Sequence, residues 1–131
     1  MLVTLASRDL DICACTVKRL AAGGNDELRT ALACTLRNRL VAFSRRGPVA
    51  PLKVCRDFLR EATGASKERL PQEEKSGAEW CRAMAVSCLA WSGDLVDPTN
   101  GATSCHRHDM PAPWATGRAA TALIGEYIFL R

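Results

Sequence analysis

Seven cysteines and two histidines are the side chains with the most obvious capacity for chemistry in this 131-residue sequence. Thiols can pair as disulfides, ligate a metal or stay reduced, and their number and spacing decide among these uses. The count is odd and no CxxC pair occurs, which disfavours a disulfide framework. Cys105, His106 and His108 lie close together but supply too few ligands for a tetrahedral zinc site. The sequence therefore predicts reduced thiols, no metal site and no cofactor.

The elements that position these side chains are mostly helices. Four cysteines fall within apolar helical patterns, where a free thiol acts as a small hydrophobic group, and we expect them to be buried. They are Cys34, Cys55, Cys81 and Cys88.

Local signals predict four helices. The first runs from residue 7 to about residue 21, with Ser7 as its cap and Gly23 and Gly24 at its end. The second begins at the cap Asn25, and its first turn carries Asp26 and Glu27 near the positive end of the helix dipole. A loop over residues 44–51 precedes the third helix.

The third and fourth helices follow from apolar spacing and from their glycine stops. Gly64 ends the third, and residues 65–75 are predicted to be an exposed excursion. The fourth begins with a capping box of Ser76 and Glu79 and ends at Gly93. The third helix is expected to pack through Leu52, Cys55, Phe58, Leu59 and Ala62, and the fourth through a buried stripe of Trp80, Cys81, Met84, Ala85, Cys88 and Leu89.

The C-terminal third differs from the helical part. Residues 97–101, DPTNG, predict a turn, Pro111 and Pro113 mark a loop, and residues 127–130 predict a closing strand. We therefore expect one domain over residues 1–131, of the α+β class, mostly helical with short C-terminal strands. The length fits a single ordinary domain.

Charge and targeting signals limit the classes of function. Residues 1–70 carry 13 Lys and Arg against 7 Asp and Glu, which suits an anionic partner or a solvated basic face. No secretory signal or membrane span is predicted, since Arg8, Asp9 and Asp11 interrupt the apolar start. The expectation is synthesis in the cytoplasm.

Several ordered blocks resemble the SleB-type bacterial cell-wall hydrolase family. Residues 93–103, GDLVDPTNGAT, are similar to the family's "GDLxDPTGGATHYH", residues 113–115, PWA, to "P-x-W-A", and residues 121–131, TALIGEYIFLR, to "TARIGxHxFYR". Residues 9–17 resemble "DLxxLARTV", residues 31–39 resemble "AVAxVVLNR", and residues 54–56 resemble "VCRQ". The resemblance implies a lysozyme-like domain that cuts the glycan strand of peptidoglycan.

The resemblance breaks down at the family's catalytic signature, "G-E-A-R-G-E", whose glutamate is the acid/base. Counting back without a gap from Asn38 and Arg39 places Leu20 at the glutamate position. A leucine cannot deliver the proton that glycosidic cleavage needs. Glu27 is a weak substitute, because a helix-start residue more commonly complements the dipole.

The leading interpretation is therefore a non-catalytic relative. It would be a structural or binding component, with peptidoglycan or virion and tail proteins as partners. The family's common phage setting implies a phage or phage-like particle. On the same resemblance, His106 and Trp114 are candidates for sugar contacts, although Trp114 can equally pack the C-terminal loops. The oligomeric state stays open.

Two alternatives stay open. One is an active peptidoglycan hydrolase that uses a displaced acid, with Glu27 as the candidate. The other is a module that binds nucleic acid or an acidic protein through basic side chains. The scarcity of aromatic residues nearby disfavours nucleic acid. The arginines concerned are Arg29, Arg37, Arg39, Arg45 and Arg46.

Overall fold

The computed structural model of the chain describes residues 5–64 and 75–131. Four helices come first: α1 (Ser7–Leu20), α2 (Asp26–Ser44), α3 (Pro51–Thr63) and α4 (Gly77–Ser92). Three short strands follow, β1 (Ser104–Arg107), β2 (Ala120–Ile124) and β3 (Tyr127–Leu130), with a single 3₁₀ turn, Pro113–Ala115, between β1 and β2. The expected α+β class, mostly helical with C-terminal strands, is confirmed. The predicted excursion over residues 65–75 lies almost entirely outside the described residues.

The three strands form one antiparallel sheet in the order β1–β3–β2. β3 is central, with Tyr127 opposite Arg107 on one side and opposite Ile124 on the other. Its buried residues Tyr127 and Phe129 alternate with the less buried Ile128, as expected for a strand with one face on the core. The predicted closing strand is confirmed, and its packing fixes the sheet against the helices.

Helix boundaries largely follow the local sequence signals. The side chain of Asn25 accepts a hydrogen bond from the backbone amide of Leu28 at 3.0 Å, which confirms the predicted cap of α2. Gly64 and Gly93 end α3 and α4 in the left-handed conformation, as predicted. The predicted cap Ser7 is wrong by one residue, since Ala6 holds the extended N-cap conformation and Ser7 is already helical.

The buried face of α4 differs from the predicted stripe. The side chains that pack on α1 and α2 belong to Ala83, Val86, Ser87 and Ala90. These small residues allow close contact between helices, whereas Cys81, Ala85, Cys88 and Leu89 are exposed and Trp80 and Met84 are half-buried. The expectation that Cys81 and Cys88 are buried is therefore wrong. Apolar residues lie on both faces of this helix, so periodicity alone could not orient it.

The rest of the core agrees better with the predicted patterns. Cys34 and Cys55 are fully buried, as expected. On α3 the predicted face is correct except for Leu52, which is 43% exposed in the first turn of the helix. Glu79, predicted to close a capping box with Ser76, turns its carboxylate towards Arg29 instead. No helix among residues 5–64 and 75–131 is long and apolar enough to cross a membrane.

Candidate ligand cleft

A cavity of about 350 Å³ opens where α1 ends, α2 begins and the β2–β3 turn approaches them. Leu20 and Leu28 form its apolar floor. The connection between α1 and α2 and the β2–β3 turn form its rim. The remaining lining residues are Ala22, Gly23, Gly24, Asn25, Gly125, Glu126 and Tyr127. An apolar floor with a few polar groups at the rim is the usual composition of a small-ligand site.

Leu20 lies at the centre of this cleft as part of the core. It is 5% exposed, and its neighbours on the same face of α1, Cys13 and Val17, are also buried. The phenol of Tyr127 donates a hydrogen bond to the backbone carbonyl of Leu20 at 3.1 Å. Burial raises the pKa of Tyr127 to about 12, so the phenol keeps the proton that it donates. This contact joins the C-terminal end of α1 to β3.

Two glycines keep the cleft walls close to Leu28. A Cβ at Gly24 would lie 2.8 Å from the Leu28 side chain and 3.0 Å from the carbonyl oxygen of Ala21. A Cβ at Gly125, where φ is +59°, would lie 3.3 Å from Leu28. A side chain at Gly125 would therefore push the β2–β3 turn away from the start of α2, and one at Gly24 would crowd Leu28 and the carbonyl of Ala21.

A second cavity of about 400 Å³ adjoins the first. The two share Ala22 and Gly23, and the second is also lined by Lys18, Arg19 and Glu79. Both cavities therefore border the connection between α1 and α2. The first has the carboxylate of Glu126 in its lining, and the second has the charged side chains of Lys18, Arg19 and Glu79.

Glu126 is the carboxylate that borders the apolar part of the cleft, and sequence reasoning missed it. Its side chain is 65% exposed, and one carboxylate oxygen lies 3.3 Å from the guanidinium of Arg107. A glycosidase acid needs an environment that favours the protonated form, such as an apolar pocket. Glu126 lies instead largely in solvent and beside the cation of Arg107.

Glu27, the acid suggested by the sequence, lies exposed in the first turn of α2. It is not among the residues that line either cavity. Its position fits the helix-start role, in which a carboxylate complements the positive end of the helix dipole.

His106 and Trp114 contact each other but not the cleft around Leu20. Their rings meet edge to face, with centroids 5.6 Å apart and an angle of 88°. His106 is 9% exposed, and its Nδ1 lies 2.8 Å from the carbonyl oxygen of Arg107, which can only accept a hydrogen bond. The guanidinium of Arg118 lies over the Trp114 ring at 5.4 Å. These contacts pack the C-terminal loop onto β1, and they leave Trp114 partly buried.

Three residues of the resembled motifs, Asn38, Arg39 and Asp97, are joined with Glu61 in a hydrogen-bonded cluster. We call these four residues the clamp. The amide of Asn38 donates to the Asp97 carboxylate at 2.8 Å and to the carbonyl of Ala102 at 3.0 Å. The clamp thereby attaches the middle of α2 to the segment that leads into β1.

The Asp97 carboxylate also organises its own turn. It accepts hydrogen bonds from the backbone amide and hydroxyl of Thr99 at 2.8 and 2.6 Å and from the amide of Gly101 at 3.0 Å. Burial raises the pKa of Asp97, but the bonds from Thr99, Asn38 and Gly101 outweigh this effect and hold the pKa below its ordinary value. The DPTNG turn is therefore a structural feature, because the carboxylate of Asp97 already accepts hydrogen bonds within the fold.

Arg39 completes the clamp from the interior. Its guanidinium pairs with both oxygens of Glu61 on α3, at 2.9 and 2.5 Å. The same group donates to the carbonyl of Thr103 and the hydroxyl of Ser104, at 3.2 and 3.1 Å. A single buried cation thus connects α2, α3 and β1.

The geometry around Cys105 does not suit a metal. The thiol is fully buried, and burial raises its pKa well above the ordinary value, which opposes the thiolate form that a metal requires. His108 is exposed. Within residues 5–64 and 75–131, no three His, Cys, Asp or Glu side chains are grouped as metal ligands.

No protein-family model matches the sequence, and no curated protein matches it either. A solved structure does match: the catalytic domain of the Bacillus cereus SleB protein. That match covers 99% of this chain and 95% of the other, with a TM-score of 0.65 and 19% sequence identity. The chain therefore has the fold of the SleB catalytic domain, a lysozyme-like fold.

Proposed function

We propose that this protein is a cell-wall-hydrolase-like domain that does not cleave glycan and serves as a binding or structural component. The observation that carries the proposal is Leu20, an alkyl side chain on the floor of the cleft at the position where the resemblance places the catalytic glutamate. Hydrolysis of a glycosidic bond requires a proton donor at the leaving oxygen, and leucine has no proton to give.

The partner that fits the cleft best is the glycan strand of peptidoglycan. Two neighbouring cavities share Ala22 and Gly23 in their linings, and Leu20 and Leu28 give the first one an apolar surface on which the face of a sugar ring can pack. The backbone at Gly23 and the side chains of Asn25 and Glu126 offer hydrogen bonds at the rim.

Sedimentation with insoluble peptidoglycan tests this binding. The wild-type protein should sediment with the polymer without releasing soluble muropeptides. Ala22→Trp places an indole between the two cavities and should weaken binding about tenfold or more, which corresponds to at least about 1.4 kcal/mol. Val96→Trp adds the same group at an exposed position that lines neither cavity, and it should bind like the wild type. Equal binding by the two variants would contradict a glycan site in this cleft.

The proposed location is a phage or phage-like particle, in its tail or baseplate. The support is the frequent phage setting of the family that the sequence resembles. Mass spectrometry of purified particles and of host cytosol tests it. Detection in particles at a fixed stoichiometry is the expected result, and recovery from the cytosol alone would contradict it.

The alternative is an active hydrolase with a displaced acid. The cleft favours Glu126 over Glu27 for that role, because Glu126 borders the cavity. Glycan cleavage that disappears in Glu126→Gln and persists in Glu27→Gln would establish this alternative.

Binding of an anionic macromolecule has less support from the contacts. Of the five arginines considered, Arg29 is buried beside Asp26 and Glu79, and Arg39 is buried beside Glu61. Arg37 donates to the carbonyl of Ala90. Arg45 and Arg46 are exposed at the end of α2. These two side chains give only a small basic surface for an anionic macromolecule.

A further inference from the structure

Cys13 of α1 and Cys55 of α3 meet in the core. Their sulfur atoms lie 4.0 Å apart, although 42 residues separate them in sequence. Cys13 is 1% exposed and Cys55 is fully buried. Neither thiol belongs to the cleft lining or to the clamp, so the proposed function does not use them.

The two thiols have different chemical environments. A hydrogen bond from Cys13 lowers the pKa of Cys55 against the opposing effect of burial, and the Thr16 hydroxyl and the charge of Arg39 also lower it. The pKa of Cys13 is raised, by its hydrogen bond to Cys55 and by burial. Cys55 is therefore the better nucleophile of the pair, and Cys13 is the thiol that keeps its proton.

We infer that Cys13 and Cys55 form a disulfide between α1 and α3 when the protein meets a peroxide. The bond needs the sulfur atoms to approach from 4.0 Å to about 2.05 Å. This inference is independent of whether the cleft binds glycan.

The chemistry balances with a peroxide as the only oxidant. The Cys55 sulfur attacks one oxygen of hydrogen peroxide, the O–O bond breaks, and sulfenic acid and one water form. The Cys13 sulfur then attacks the sulfenic sulfur, its proton leaves with the displaced hydroxide, and a second water forms. Two thiols are oxidised by two electrons, and one peroxide is reduced to two waters.

Four of the other cysteines should not compete for this bond inside the molecule. Burial raises the pKa of Cys34 to about 11 and that of Cys105 further, so both thiols stay protonated. Cys81 and Cys88 are exposed on α4 and are the residues that could link separate molecules. The contact between their sulfur atoms therefore makes Cys13 and Cys55 the expected pair, and a bond that involves the buried Cys15 would be seen in the peptide map as a different pair.

The experiment uses the full chain carrying Cys81→Ser and Cys88→Ser, which removes reaction at the surface. The reduced protein is treated with hydrogen peroxide under native conditions, alkylated in denaturant and mapped by peptide mass spectrometry. The expected result is one linked peptide pair containing Cys13 and Cys55, which dithiothreitol separates. The cross-link should also raise Tm by about 5–15 °C, because it restricts the unfolded chain.

Two further variants act as matched controls. Cys13→Ser should abolish the link, and Cys34→Ser should leave it unchanged. Linked peptides that join any other pair would overturn the inference. So would the appearance of only sulfinic or sulfonic acid on Cys13 or Cys55, or full recovery of both thiols after the treatment. The peptide map of the parent variant decides these outcomes even if Cys13→Ser fails to fold.

Discussion

The clamp and the cleft differ in how well their residues match the motifs of the cell-wall hydrolases that the sequence resembles. In the clamp, Asn38, Arg39 and Asp97 match the resembled motifs, and each of these side chains has hydrogen-bond partners within the fold, with only the Nε of Arg39 buried without one. In the cleft, Leu20 stands where the resemblance expects a carboxylate, and it packs into the core. The polar residues that match the resembled motifs are those that hold the fold together. Catalytic chemistry at the cleft can therefore be lost while these residues are kept.

The largest expected effect comes from breaking the clamp at Arg39. Arg39→Ala should lower the free energy of unfolding by about 3–5 kcal/mol, because it leaves the Glu61 carboxylate and the carbonyl of Thr103 without their donor. Chemical denaturation measures the loss. Arg60→Ala removes an exposed ion pair with Asp57 on the same helix as Glu61, and it should cost less than about 1 kcal/mol. Equal losses in the two variants would contradict the structural role of the clamp.

A smaller loss is expected at Asp97. Asp97→Ala should cost about 2–3 kcal/mol, since the donors on Asn38, Thr99 and Gly101 lose a charged acceptor. Urea titration at neutral pH gives the value. A loss below about 0.5 kcal/mol would mean that water replaces the carboxylate without cost.

The pH dependence of the free energy of unfolding also tests the structural role of the Asp97 carboxylate. The folded-state pKa of Asp97 lies below its ordinary value, so its contribution is fully present above about pH 4. The contribution is lost as pH falls through the folded pKa. Asp97→Asn should therefore lose less stability than the wild type between about pH 4 and pH 2. Identical acid-unfolding profiles for the two proteins would contradict a lowered pKa.

The local signals in the sequence predicted the fold better than they predicted the site. Asn25, Gly64 and Gly93 mark helix ends correctly, because caps and left-handed glycines act on nearby backbone. The orientation of α4 could not be predicted, since alanines lie on both of its faces and the larger apolar side chain of Leu89 lies on the exposed one. Glu126 was missed for a different reason: only the folding of the β2–β3 turn onto α2 brings it to the cleft.

The interpretation of His106 and Trp114 shows a similar limit. The sequence places both in the C-terminal region, and the fold does bring their rings into contact. The distance between that pair and the end of α1 depends on how β1 and β3 pack, which local patterns do not specify. The two residues therefore support the loop beside β1 and do not line the cleft.

The next effect on stability is expected from a substitution on the floor of the cleft. Leu20→Glu should lower the free energy of unfolding by at least about 1.5–3 kcal/mol, because Leu20 is buried beside Cys13 and Val17 and a carboxylate there adds a desolvation cost. It should not create hydrolytic activity. Thermal unfolding and a peptidoglycan assay on this variant check both statements. A stable, newly active Leu20→Glu protein would mean that an intact active site has lost only its acid.

The smallest effects on stability are expected at the two exposed carboxylates. Glu27→Gln and Glu126→Gln should each change the free energy of unfolding by less than about 0.5 kcal/mol, since both side chains lie on the surface. Both variants therefore stay folded, and either one can be used in an activity assay without a correction for unfolding. A large loss of stability in either variant would reveal a structural role that the contacts do not indicate.

The most direct test is the release of soluble muropeptides from purified peptidoglycan by the wild-type protein. The expected result is no release above a buffer control, because Leu20 cannot deliver a proton to the leaving oxygen. Release by the wild type that disappears in Glu126→Gln or Glu27→Gln would contradict the account, since it would show that a displaced acid performs the hydrolysis.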